Sequence, residues 1–310
     1  MFTVERFSTN PLIHADCNPV LEGNVNGASV IEVPTWLSDR MGRYYMYFAH
    51  HQGKGIRLAY ADRLDGPWQV YEQGTLQLAQ TPCHHHIASP DVHVDAARRQ
   101  ILMYYHGPVL TEDQFADDPL YLKFPYLGGQ RTLLATSRNG IDFVSGNRIL
   151  GPSYYRVFPW RERRYAIAMP GILYRQNGDA WDSFEEGPHL FSEAHRHFAV
   201  QVGEDRLVVF FSKAGDCPER IQAAPLITEG PWTEWKAGPE FEVLEPETPY
   251  EGISQILEPS ARGAVHGPAR QLRDPCIFTA EGRNCLFYSV SGEMGIAGAD
   301  LVLQERTHSG

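Results

Sequence analysis

Apolar residues gather in five short runs, 44–49, 101–105, 165–169, 207–212 and 285–289, each dense in Tyr, Phe, Leu, Ile, Val or Met. A charged or glycine-bearing turn precedes each run, at 39–42, 96–99, 161–164, 203–205 and 281–283. Ahead of each turn lies a mixed stretch: 28–33, 92–95, 156–160, 198–202 and 275–279. In Ser89-Pro90-Asp91-Val92-His93-Val94-Asp95, Val92 and Val94 face one way and His93 and Asp95 the other. That is the period of two of a half-buried strand. A third strand follows most runs and ends in turn-forming residues. The stretch 56–60 leads into Asp65-Gly66-Pro67-Trp68, 132–136 into Arg138-Asn139-Gly140, and 221–227 into Glu229-Gly230-Pro231-Trp232.

The pattern predicts five copies of a three- or four-stranded antiparallel unit and few amphipathic helices. One such sheet cannot bury both faces, whereas five stacked radially can, leaving only short edges. The expected architecture is therefore all-β, a five-bladed β-propeller with four-stranded antiparallel blades, preferred over a pair of β-sandwiches. It is read as one domain spanning 1–310. The last copy runs out after its third strand, 296–303, so the N-terminal strand, 2–7, is expected to close the last blade. The insert 109–129 carries Asp113, Asp117 and Asp118 but no strand pattern, and reads as a surface loop or lid. A second irregular stretch, 248–270, precedes the fifth unit.

Composition leaves this picture intact. The 28 Gly and 22 Pro of the 310 residues are scattered among the turns, as many short strands require. Net charge is −11 with no run of Lys or Arg, which argues against binding nucleic acid through phosphates. Five cysteines, Cys17, Cys83, Cys217, Cys276 and Cys285, show no framework spacing and read as free thiols. No apolar run approaches the roughly 20 residues of a membrane span. The start, Met1-Phe2-Thr3-Val4-Glu5-Arg6-Phe7, has no charged segment followed by an apolar one, so a cytoplasmic location is expected.

In a propeller the first strand of each blade lines the channel, so its opening residue faces whatever binds there. The expected openers are Asn26, Asp91, Arg156, His197 and Asp274. Loops on the same rim add His50, His51, Lys54, His106, Asp216, Glu219, Arg220 and Glu293. This mixed polar ring would suit a ligand site better than a core plug. Simpler roles stand beside each candidate. Asp91 and Asp274 could cap strand starts, and Arg156 and Arg273 could pair with them instead of with a ligand. Of His84-His85-His86, consecutive residues cannot all reach one metal ion, so no metal site is expected and His86 is taken as substrate-facing. Most tryptophans read as packing between blades, with Trp36 and Trp160 as candidate sugar platforms.

The segment Ser89-Pro90-Asp91-Val92 resembles the second-blade W-A-P-D-V segment of family 43 glycoside hydrolases. Arg273-Asp274-Pro275 and Asn18-Pro19-Val20-Leu21 are similar to segments of the wider five-bladed group, families 32, 43, 68, 117 and 130. The resemblance implies a glycosidase fold, an inverting mechanism and, for Asp91, a role in tuning and orienting the acid. It also allows for a structural calcium in the channel; no other cofactor is expected. Two departures stand out: Asn26 occupies the place of the family's base, and Arg196-His197-Phe198 that of its acid Glu. Glycoside cleavage needs a proton donor and a base or nucleophile. Asp274 is the expected base and Glu251 the expected acid, with Glu219, Glu293 and His197 competing.

The leading expectation is a glycoside hydrolase acting on a short oligosaccharide. A glycoside phosphorylase is the alternative, since Arg156, His197, Arg273 and Lys54 could hold phosphate where Asn26 replaces a base. Added phosphate would then yield a sugar 1-phosphate. A non-catalytic sugar-binding propeller would instead bind without turnover.

Overall fold

Each apolar run becomes the second strand of a sheet because both its faces are covered; Tyr44–Ala49 is buried at every position. The computed structural model describes residues 2–303 and arranges them as five antiparallel sheets. Among the described residues the inner strands are Asn26–Glu32, Ala88–Asp95, Arg156–Trp160, His195–Val202 and Arg273–Ala280, for blades one to five. The outer strand of blade three is Phe184–His189, so Glu185-Glu186-Gly187-Pro188-His189 lies far from the channel. Phe2–Arg6 pairs with Gly295–Leu303 in register Phe2 to Leu303, and thus supplies the fourth strand of blade five. The ring is closed by its two ends, as expected from a last unit one strand short.

Apolar clusters fill the spaces between blades. Tyr45, Tyr47, Ile101 and Met103 join blades one and two, and Phe158, Tyr165, Phe211 and Trp235 join three and four. Trp160 belongs to that second cluster and is buried, so it is a packing residue and not a sugar platform. Polar staples reinforce the joints near the channel. Val92 N donates to Ser29 Oγ between blades one and two, and Val157 N to Asp91 Oδ2 between two and three.

One backbone feature positions the residues at the mouths of the channel. The inner strand shifts register after its first pair in three blades, between Asn26 and Ser29, Ala88 and Asp91, and Arg273 and Cys276, and after its second pair in blade four, between Arg196 and Ala199. A β-bulge inserts residues that re-aim the neighbouring side chains. Inside each bulge one residue is left-handed: Gly27 (φ 63°), Ser89 (48°), His197 (58°) and Asp274 (51°). In blade three Tyr154, just ahead of the strand, has φ 68°. For a non-glycine residue this costs about 1 kcal/mol or more, and such strain concentrates at functional sites.

Candidate active site

The residues at and before the bulges line a cavity of about 600 Å³ at one mouth of the channel. Asn26, Ala88 and Ser89, Ser153 and Tyr154, Arg196 and His197, and Asp274 come from the five blades in turn. His51, His86, His106 and Glu293 complete the wall. The two irregular segments meet over it: the insert contributes Tyr126 and Leu127, the other Arg262, whose guanidinium lies 4.3 Å from the Tyr126 ring centre.

Asp274 accepts hydrogen bonds from Tyr154 Oη (2.8 Å) and Ser289 Oγ (3.1 Å). Burial raises its pKa and the nearby Glu293 charge adds to that, outweighing these donors and Arg273. Burial also pushes Glu293 up, but there His51, Asn24 and Arg273 prevail and hold it below the usual carboxylate range. Asn24 Nδ2 donates at 2.7 Å, His51 Nδ1 lies at 3.0 Å and Arg273 Nη1 at 3.3 Å. The cavity therefore holds two carboxylates whose protonation is driven in opposite directions.

Beneath them lies an ion network. Arg196 grips Glu219 through Nε (2.9 Å) and Nη2 (2.6 Å), while Arg273 Nε stands 3.0 Å from the same carboxylate. Ser212 Oγ donates to Glu219 at 2.7 Å, so its lone pair is what faces His197 Nδ1 at 2.9 Å. His197 is thereby fixed as the Nδ1–H tautomer, with Nε2 unprotonated and 3.7 Å from Asp274 Oδ1. Burial, then Arg196 and Arg273, keep this imidazole well below its ordinary pKa and therefore neutral. Burial, then neighbouring histidines, likewise depress His106 strongly and bring His86 to about 4.

The expected site residues are divided by the structure. Asn26, His86, His197, Asp274 and Glu293 meet in this cavity, with Glu219 and Arg273 directly behind. Arg273 pairs with Glu219 and Glu293, not chiefly with Asp274. Asp91 and Arg156 line a different cavity at the other mouth, beyond the bulge. The bulge is the reason: Ser89, not Asp91, stands at the position of Asp274, and Asp91 matches Cys276. Glu251 has no exposed surface and lies in neither cavity; it binds Arg6 Nε (2.8 Å), Tyr288 Oη (3.0 Å) and the backbone N of Glu247 (2.9 Å). A group so enclosed cannot reach a ligand in the channel. Trp36 lines a cavity on the flank of blade one with Arg40 and Arg43, outside the channel. Ser89, Tyr154, Arg196, Tyr126 and Arg262 were not singled out from the sequence as site residues.

Among the described residues no group of three or more His, Cys, Asp or Glu is placed to hold a metal ion. Calcium takes about six to eight oxygen ligands, whereas here imidazoles crowd the wall and both carboxylates are engaged. The residues do not fit calcium. Among the described residues no helix is long and apolar enough to cross a membrane.

No family model matches the chain. "Uncharacterized protein R118" of Acanthamoeba polyphaga mimivirus is 33% identical, over 96% of this chain and 90% of that protein. The chain belongs to one family with it. Among solved structures, the GH43_1 enzyme of Xanthomonas citri superposes with TM-score 0.60 at 11% identity, covering 98% of this chain and 91% of that one. CoXyl43, a GH43 β-xylosidase/α-arabinofuranosidase from a compost microbial metagenome solved with xylotriose in a calcium-free form, gives 0.59 at 13%, covering 97% and 96%. An exo-1,5-α-L-arabinanase from a bovine ruminal metagenomic library gives 0.55 at 10%, covering 91% and 94%. The fold of this family is thus the five-bladed propeller of the GH43 glycoside hydrolases. At such identity the likeness is one of fold.

Proposed function

We propose that the protein is a glycoside hydrolase acting on a short oligosaccharide in the cavity above the bulges. Asp274 is the general acid and Glu293 the carboxylate that activates water. The observation that carries this reading is the pair of carboxylates on one cavity whose surroundings shift their pKa values in opposite directions, Asp274 upward by burial and Glu293 downward by His51, Asn24 and Arg273. Environments that drive two carboxylates apart in pKa assign acid and base. Asp274 thus takes the acid's part in place of the base role its position at a strand opening suggested. Glu293 stays ionised between His51, Asn24 and Arg273. His197 Nε2, 3.7 Å from Asp274 Oδ1 and outside hydrogen-bond reach of it, is left to accept from a substrate hydroxyl. Structural neighbours solved with xylotriose and with xylose support a small carbohydrate as the occupant.

A phosphorylase is a second reading, favoured by Arg196, Arg262, His51 and His86 around a cavity whose blade-one opener is an amide. One assay treats both: turnover of xylo-, arabino- and galacto-oligosaccharides, with and without inorganic phosphate. Hydrolysis without phosphate, lost about a hundredfold or more in Asp274→Asn and in Glu293→Gln, is the expected result. A sugar 1-phosphate formed only with phosphate selects the second reading. Full turnover in both variants would refute the assignment.

A further inference from the structure

We propose that the oligosaccharide taken by the cavity above the bulges, the upper cavity, is acidic, and that Arg262 selects it by holding the carboxylate of a uronosyl unit. The inference rests on the glycosidase reading and names its substrate class. Arg262 is exposed on the rim, in the irregular segment before blade five, and lines the cavity. The backbone on either side of it is pinned from below. Arg196 Nη2 donates to the Ala261 carbonyl (3.1 Å) and Arg273 Nη1 to the Gly263 carbonyl (3.1 Å). The guanidinium itself lies on the Tyr126 ring, 4.3 Å from its centre, and its Nη2 donates to the Glu193 carbonyl. Among the described residues Nε and Nη1 have no hydrogen-bond partner, and the side chain makes no ion pair.

The other charges at this mouth are already balanced. Arg196 and Arg273 share Glu219, and Glu293 is matched by Arg273 and His51. Of the three guanidiniums, Arg262 alone has no carboxylate within ion-pair reach among the described residues. A long surface side chain ordinarily gives up rotamer freedom when it binds; the pinned backbone and the ring beneath have already fixed this one, which lowers that cost. The Glu193 carbonyl takes one Nη2 proton. The other Nη2 proton, with its neighbour on Nη1 or Nε, keeps one edge of the fork open, and such an edge matches a carboxylate through two parallel bonds. One negative charge balances one uncompensated guanidinium. A phosphate monoester, at nearly two charges, would add repulsion to a wall that already carries Glu293. A net charge of −11 draws no anion to the protein in general, so a preference for an acidic sugar must come from the cavity.

Calorimetry on the intact protein tests it with two matched series: xylose, glucose and glucuronate, and L-arabinose, galactose and galacturonate. Members of a series share one ring and differ at C5; the 6-phosphates of glucose and galactose are titrated beside them. A uronate should bind about fivefold or more tighter than the neutral members of its series, the worth of an open charge-assisted pair, and added salt should erode that ratio. In Arg262→Gln the ratio should fall to about one, and in Arg262→Lys, which keeps the charge and loses the fork, to an intermediate value. Arg63→Gln removes the same charge beyond Ala61, at the end of blade one away from Asn26, and should leave the ratio as it is. Equal affinities within each series, a ratio kept in Arg262→Gln or lost in Arg63→Gln, 6-phosphates that bind tighter than the uronates, or no binding at all would each overturn the proposal. Turnover is read separately. A uronate preference with every glycoside left uncleaved supports the recognition and sinks the glycosidase reading, while hydrolysis without that preference does the reverse.

Discussion

Glu251→Ala separates a fold-holding carboxylate from a catalytic one. The side chain is fully buried and receives Arg6 Nε and Nη2, Tyr288 Oη, and the backbone N of Glu247 and Thr248. Arg6 lies on the N-terminal strand that completes blade five, so this carboxylate ties the ring closure to the loop before that blade. Truncation leaves a part-buried cation, a buried hydroxyl and two N–H groups without their acceptor. Removing one partner of a buried ion pair costs about 3–5 kcal/mol. Arg6 retains the Glu245 carbonyl at 3.0 Å and the exposed Glu247 at 2.8 Å, so the lower part of that range applies, about 3 kcal/mol. At roughly 2 °C per kcal/mol for a chain of this length, Tm should fall by about 6 °C. Glu251→Gln, which keeps the shape and loses the charge, should fall by about half as much. Scanning calorimetry gives the shift. The pH profile of turnover, measured well below both Tm values, should match the parent. A Tm within a degree or so of the parent, together with turnover lost in Glu251→Gln, would refute the structural role and restore the catalytic one.

Gly27→Ala should cost about 1–2 kcal/mol, because φ is +63° and the new Cβ would stand 3.1 Å from Ser89 Cα; urea denaturation measures it. Gly187→Ala drives a Cβ to 2.1 Å from the Trp232 ring, and overpacking of this kind costs about 1–3 kcal/mol, read as a lower Tm. Buried neutral histidines set the acid limb of stability. His106 and His197 lie well below, and His86 at about 4, against about 6.5 when unfolded. Below pH 6.5 the unfolded chain therefore binds more protons, and stability present above that pH is lost as pH falls toward 4. Each fully shifted histidine contributes about 1.4 kcal/mol per pH unit, while Asp274, shifted upward, has the opposite sign. Tm measured from pH 7 to 4.5 should fall steeply, and His106→Gln should flatten the slope by about one proton.

The blade count was legible because each second strand is buried on both faces and so must be a continuous apolar run, with a turn before it. The ring closure was legible for a related reason: the last unit lacked one strand and the N-terminus offered one. Neither inference needs a contact between distant residues. Glu251 shows the contrary case. Its partner Arg6 is 245 positions away, and the nearby Pro249-Tyr250-Glu251-Gly252 reads equally well as an exposed loop or as the capped 3-10 turn that it is.

The register of the channel-facing residues failed to show for a sharper reason. A period of two extends outward from 92–95 without ambiguity, but the bulge lies at Ser89 and Pro90, before that alternation begins. Only in blade one does a glycine, Gly27, mark the left-handed position; in the other bulged strands it is held by Ser89, His197 and Asp274, and even for Asp and His, which are enriched there, the signal is far weaker than a glycine's. Counting from the strand's start thus puts Asp91 beside Asp274, while the pairing puts Asp91 beside Cys276 and Ser89 beside Asp274. The shift carries one acidic group from the mouth where Asp274 and Glu293 stand to the opposite mouth, which Asp91 lines with Arg156. It follows that Ser89→Asp should place a third carboxylate on the upper cavity, near Asp274. The like charges should raise the pKa of Asp274 further and move the alkaline limb of a glycosidase pH profile upward, whereas Asp91→Asn should leave that limb where it is. Equal displacement by both variants would mean that the two mouths are not separate sites.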